Sequence, residues 1–89
     1  MFEPREFKKA KRDVEEAVRS VIQSSHLGTS NDVAARMVLE VQAERFRSLG
    51  GDVGKAVHGQ GWYARAIMGS TACTREFMEH LATTAARVH

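Results

Sequence analysis

Few side chains in this 89-residue sequence are spaced in a way that supports catalysis or metal binding. Glu76 and His80 lie four residues apart, a spacing at which a carboxylate and an imidazole on one helix face can share a metal ion. Two ligands do not make a metal site, and the sequence has no HExxH motif. The spacing therefore favours a surface pair over a metal centre, and we expect no metal and no cofactor.

Neither the single cysteine nor the seven glycines form a catalytic motif. Cys73 falls on the apolar stripe of a predicted helix, a position typical of a small, unreactive core residue. The glycines match neither the GxGxxG pattern of dinucleotide-binding turns nor the GxxxxGK[ST] pattern of phosphate-binding loops. We therefore expect a protein that is not an enzyme.

One segment concentrates the unusual residues. GGDVGKAVHGQGWYARAIMG, residues 50–69, holds six of the seven glycines, the only tryptophan and the only tyrosine. In one interpretation, Gly54 fills the small-residue position of a helix–turn–helix. The pattern GDVGKAV…ARAI is loosely similar to the helix–turn–helix of bacterial repressors, and this resemblance implies contacts to DNA. The outward-facing residues that would make them are Gln60, Tyr63 and Arg65.

The second interpretation of this segment is a packed elbow between helices. Asp52 is a good N-cap for a two-turn helix, and a second short helix is expected from Trp62 onward. Gly59 and Gly61 would each weaken the second helix of a DNA reader by about 1 kcal/mol relative to alanine. The elbow is therefore favoured, with core packing of Trp62 and Tyr63 preferred over their exposure.

Two groups of residues are candidates for binding another protein. Tryptophan, tyrosine and arginine are the residue types most enriched at binding hot spots. The first group is therefore Trp62, Tyr63 and Arg65. The second is the basic cluster Lys8, Lys9, Lys11 and Arg12. Such a cluster attracts an acidic partner, unless it is only a solvated helix face.

Three long amphipathic helices account for most of the remaining sequence. Apolar residues recur every three or four positions over about 6–24, 31–49 and 71–87. Gly28 is suited to end the first helix, and Ser30 or Asn31 to cap the second. The side chains of the second helix that we expect to face the core are Val33, Met37, Val38, Val41, Phe46 and Leu49. The predicted fold is an all-α, compact single-domain bundle over residues 1–89, with one or two short helices within 50–69.

Composition narrows the classes of function. The 13 basic and 11 acidic residues give a net charge of +2, and basic residues are concentrated only at Lys8 to Arg12, less than nucleic-acid binders usually show. The sequence has one cysteine, no signal-peptide pattern and no apolar run of the ~20 residues that cross a bilayer. These observations favour a cytoplasmic location. The favoured function is a small non-catalytic protein-binding module of the adaptor, inhibitor or regulatory-subunit type. The alternative is a DNA-binding transcriptional regulator with a degenerate helix–turn–helix at about 52–68. A homodimer is expected if the apolar stripe of the first helix is not covered within the chain.

Overall fold

The computed structural model describes residues 5–28 and 31–86, which form five α-helices and no strand. The helices are α1 (Arg5–Leu27), α2 (Asn31–Ser48), α3 (Val53–His58), α4 (Gly61–Met68) and α5 (Ala72–Ala86). The all-α bundle of three long and two short helices is therefore confirmed. Predicted and observed helix ends differ by at most three residues where both can be compared, and the predicted end at 87 lies outside the described residues.

The longest helix, α1, forms the main wall of the core. Its buried side chains follow the predicted stripe with spacings of three and four: Ala10, Val14, Ala17, Val18, Val21 and Ile22. The stripe is covered within the chain because α2, α3 and α4 all pack on α1. The condition under which we expected dimerisation through this helix is therefore not met.

Polar contacts fix the junction between α1 and α2. Gly28 has φ +67° and ends α1 as predicted, whereas the predicted caps Ser30 and Asn31 lie outside the described side chains. The Ser25 hydroxyl donates a hydrogen bond to Asp32 Oδ1 at 2.7 Å, and Arg36 Nε donates to the same carboxylate at 3.1 and 3.2 Å. The Ser25 hydrogen bond is the largest cause that holds the pKa of Asp32 below its ordinary value; desolvation, the next largest, raises the pKa, and the hydrogen bond and charge of Arg36 lower it further.

The inward orientation predicted for the second helix is wrong for five of the six residues named. The exposed ones are Val33, Met37, Val38, Val41 and Leu49, and Phe46 alone is buried. The helix buries the line Leu39, Ala43 and Phe46 instead. Ala43 is almost fully buried in this line, and the Phe46 ring packs on Phe7 of α1 with ring centroids 5.1 Å apart. Helix α2 therefore has two apolar faces, and the face that packs on α1 is the buried one.

The start of α5 differs from prediction by a shift of one residue. Cys73 is exposed, so its assignment to the core is wrong. Thr74 takes the inward position because its backbone N–H is capped by Thr71 Oγ1 at 3.2 Å and its hydroxyl pairs with the same atom at 3.1 Å. Phe77 is consequently half-buried rather than central.

The glycine-rich segment forms the predicted pair of short helices. Asp52 caps α3 by accepting a hydrogen bond from the Lys55 N–H at 3.0 Å. A Cβ on Gly51 would overlap the Phe46 ring, so this glycine is required by a close approach. A Cβ on Gly54 would meet nothing nearer than Asp52 Oδ1 at 3.7 Å. Gly54 therefore does not have the close contact that the helix–turn–helix interpretation assigned to it.

Candidate functional site

The most unusual surface of the molecule is the side of α2 that points away from the core. We call it the α2 outer face; it consists of Val33, Ala34, Met37, Val38 and Val41. The four large side chains among them are 65%, 61%, 51% and 66% exposed in chain order. Because an α-helix turns about 100° per residue, this face lies opposite the buried line through Leu39 and Ala43. The result is an apolar patch about 12 Å long along the helix axis.

Charged residues border this patch toward the C-terminal end of α2. Glu40 and Glu44 lie along one edge, and Arg45 lies on the other. Glu44 has only a loose ion pair with Arg47 within its own helix, at 3.8 Å. Arg45 has an equally loose pair with Asp13 of α1, also at 3.8 Å. Exposed pairs of this length contribute little to stability, so these side chains are free to engage another molecule.

A shallow groove between α1 and α2 adjoins the outer face along Val38. It has a volume of about 630 Å³. Its floor and walls are mainly small side chains: Ala17, Ser20, Ser24, Ala34 and Ala35. Its end near the start of α1 carries Lys9, Asp13 and Glu16. The groove continues the surface of the α2 outer face toward α1.

The predicted hot-spot group on α4 is only partly exposed. Trp62 is 55% exposed and meets the Tyr63 ring edge-on, with centroids 5.6 Å apart. Tyr63 is half-buried against the core, whereas Arg65 is exposed. Ala64 fills the inward position of α4, which turns Trp62 about 160° away from the core. The preference for core packing is therefore wrong for Trp62 and partly right for Tyr63.

The orientation predicted for Gln60 is wrong. Its side chain is 5% exposed, and its Oε1 accepts a hydrogen bond from Arg19 Nη1 of α1 at 2.7 Å. The turn between α3 and α4 packs on α1, where the Arg19 guanidinium requires an acceptor. Gln60 thus connects the glycine-rich segment to α1 and cannot read a DNA base while this contact holds.

The basic cluster is exposed and partly neutralised. Lys8, Lys9, Lys11 and Arg12 all lie at the surface. Lys9 Nζ donates to Asp13 Oδ2 at 3.1 Å, so the carboxylate next to the cluster offsets part of its charge. Within residues 5–28 and 31–86, no hydrogen bond, ion pair or ring contact joins this cluster to Trp62.

A smaller cleft of about 400 Å³ opens where α4 meets the start of α5. Its lining includes the charged residues Arg65, Arg75 and Glu79, together with His58. The Glu79 carboxylate places a negative charge among the cations. Glu76 and His80 are both exposed on α5, and the described part of the chain contains no group of three His, Cys, Asp or Glu residues that could hold a metal ion.

Sequence reasoning missed the α2 outer face. One signal was present: the apolar arc of α2 is wider than that of α1. A single helix face cannot bury both Val41 and Ala43, which lie about 160° apart. The sequence alone does not show which arc α1 selects, because that choice depends on how Phe46 meets Phe7.

Searches of protein-family models, curated proteins and solved structures found no match to this chain. Among the described residues, no helix is both long and apolar enough to cross a membrane.

Proposed function

We propose that this protein is a small non-catalytic module that binds another protein through the α2 outer face. One observation carries the proposal: four large apolar side chains on one helix face are each at least half exposed. Single exposed apolar residues are common on soluble proteins, but a contiguous patch with a charged border is typical of a protein-binding site. Met37 at its centre is flexible and adapts well to a partner surface.

The cost of this exposure supports the same proposal. Fully burying a valine or methionine side chain stabilises a protein by about 1.5–3 kcal/mol. A chain of this size has only a few kcal/mol to lose, yet it leaves this patch in water. A partner that covers Val33, Met37 and Val41 would recover that hydrophobic free energy.

Two further surfaces fit an auxiliary role. Trp62 offers a half-exposed aromatic ring, which is suited to a second contact. The basic cluster, with Lys8 at its start, suits electrostatic steering of an acidic partner. Protein binding is favoured over DNA binding because Gln60 is held by Arg19 and Arg65 provides one cation where phosphate contacts require several.

The proposal includes a cytoplasmic location. Cys73 is the only cysteine in the sequence, and it is exposed. One cysteine cannot form an intramolecular disulfide of the kind that stabilises small secreted domains, so the chain gains nothing from an oxidising compartment.

Site-specific photo-cross-linking tests the proposed function. A photoreactive residue replaces Val41 on the α2 outer face or, as the matched control, Glu76, which is exposed on α5. In the cells that produce the protein, we expect discrete protein adducts from position 41 and none from position 76. Equal labelling from both positions, or no protein adduct from position 41, would contradict a docking role for this face.

A further inference from the structure

We infer that the cleft between α4 and the start of α5 binds the phosphoryl group of a small organic phosphate ester through Arg65 and Arg75. The cleft has a volume of about 400 Å³, and its lining, over the described residues, includes no residue of α2. The inference therefore concerns a second site, which is independent of the docking role proposed for the α2 outer face.

Three basic side chains from three helices line this cleft. His58 comes from the end of α3, Arg65 from α4 and Arg75 from the first turn of α5. A Cβ added to Gly61, which also lines the cleft, would lie 3.4 Å from Arg65 Nη1. Because long side chains on a helix point back toward its N-terminus, the Arg65 guanidinium lies over Gly61 and therefore beside the cleft.

Several hydrogen-bond donors that line the cleft are not used by the protein itself. Among the described residues, Arg65, Arg75 and the Ser70 hydroxyl have no hydrogen bond or ion pair. A guanidinium has five N–H donors in a fork and no acceptor, so the two arginines need a ligand that supplies acceptor oxygens. The fork matches the geometry of phosphate and carboxylate oxygens.

The charges at the cleft favour a phosphoryl group over a carboxylate. Arg65 and Arg75 contribute two positive charges and Glu79 contributes one negative charge, so the side chains leave a net positive charge. The dipole of α5, which begins at the cleft, adds to the positive potential. A phosphoryl group near neutral pH carries about 1.5–2 negative charges and three acceptor oxygens, enough for both guanidiniums and the Ser70 hydroxyl.

The size and the lining of the cleft indicate a small ligand. Pockets that hold small molecules have volumes of about 300–1,000 Å³, and this cleft is near the lower limit. Met78, which is 5% exposed, provides an apolar surface beside the charged groups for the organic part of the ligand. Two guanidiniums suffice for one phosphoryl group, whereas a nucleic-acid strand requires cations spaced along its backbone.

An NMR titration of the full ¹⁵N-labelled chain with phenyl phosphate at constant ionic strength tests the inference. We expect saturable shifts of the Gly61 and Ala72 backbone amides and of the Arg65 and Arg75 Nε–H signals. The dissociation constant should lie in the millimolar range, as is usual for a ligand of this size. Phenol lacks the anion, inorganic phosphate lacks the apolar ring and benzoate has one oxygen fewer, so each should bind at least about threefold more weakly.

Charge variants test which residues hold the phosphoryl group. Arg65→Gln and Arg75→Gln should each raise the dissociation constant for phenyl phosphate at least about fivefold, because each removes charge-assisted hydrogen bonds. Arg12→Gln removes the same charge from the exposed face of α1 and should change the constant less than about twofold. Glu79→Gln should strengthen binding by removing a repulsive charge, and more so than Glu76→Gln, whose side chain does not line the cleft. Circular dichroism checks that each variant remains folded.

Each alternative result overturns a stated part of the inference. The absence of saturable shifts, or an equal loss of affinity in Arg12→Gln, excludes the cleft as the anion site. Benzoate that binds as tightly as phenyl phosphate excludes the preference for a phosphoryl group, and inorganic phosphate that does so excludes an organic part. Tighter binding of a short DNA strand with steep salt dependence excludes a small ligand. None of these results affects the cross-linking test of the α2 outer face, because no α2 residue contributes to the cleft described here.

Discussion

Val18→Ala and Val41→Ala remove the same two methyl groups from helix interiors, yet the structure predicts very different costs. Val18 of α1 is fully buried, whereas Val41 of α2 is 66% exposed. Both substitutions gain the same helix propensity, at most about 0.7 kcal/mol, so this contribution cancels in the comparison. The difference between the two variants therefore reports burial alone.

The magnitude follows from the exposed fractions. Burial contributes about 0.8 kcal/mol for each CH2-sized group, and a buried site adds the cost of the cavity that remains. Val18→Ala should lower the free energy of unfolding by about 1.5–2.5 kcal/mol. Val41→Ala loses only about a third of the transfer contribution and leaves no cavity, so its cost should be about 0–0.5 kcal/mol.

Urea denaturation followed by circular dichroism measures both values. The experiment is performed at two protein concentrations, and the lower one is chosen so that self-association does not contribute to stability. We expect the two variants to differ by at least 1 kcal/mol, which for a chain of this length corresponds to about 4–8 °C in Tm. Equal destabilisation at low concentration would mean that Val41 faces the core, and the reasoning about the α2 outer face would fail.

Two further predictions concern the junctions between helices. Gly51→Ala should destabilise the fold by about 1–3 kcal/mol in thermal unfolding, because its Cβ overlaps the Phe46 ring. Gly54→Ala, the control, should stabilise the fold by about 0.5–1 kcal/mol. The opposite order of stabilities would refute the close approach at Gly51. Because the pKa of Asp32 is lowered in the folded state, its contribution to stability is present above about pH 4 and is lost as the pH falls through the lowered value. Ser25→Ala removes the largest cause of that shift. Between pH 5 and pH 2 the free energy of unfolding, measured by urea titration, should therefore fall less for the variant than for the wild type. An equal fall would contradict the role of the Ser25 hydroxyl.

The sequence predicts the helices better than it predicts their orientation. The α1 stripe is a single apolar arc, so its spacing determines both the helix and the buried face. In the same way, Asp52 and Gly28 mark helix ends through local backbone chemistry that does not depend on distant residues. Helix α2 carries two apolar arcs, and the choice between them depends on the contact of Phe46 with Phe7, which periodicity does not encode.

The candidate site shows the same division. Residue type identified Trp62 and Arg65 as binding candidates, and both are exposed, although the sequence had favoured core packing for Trp62. Residue type also suggested an outward Gln60, but its side-chain amide instead accepts a hydrogen bond from the partly buried Arg19. The α2 outer face was missed because apolar residues at helical spacing usually form core.

Photo-cross-linking from methionine tests the central claim with the least change to the chain. A diazirine analogue of methionine replaces Met37 on the α2 outer face and Met78 in the core, which are 61% and 5% exposed. The account predicts that cross-links to another protein molecule, whether a second copy or a different partner, arise from position 37 and not from position 78. Intermolecular cross-links absent from position 37, or as frequent from position 78, would contradict a docking role for the α2 outer face.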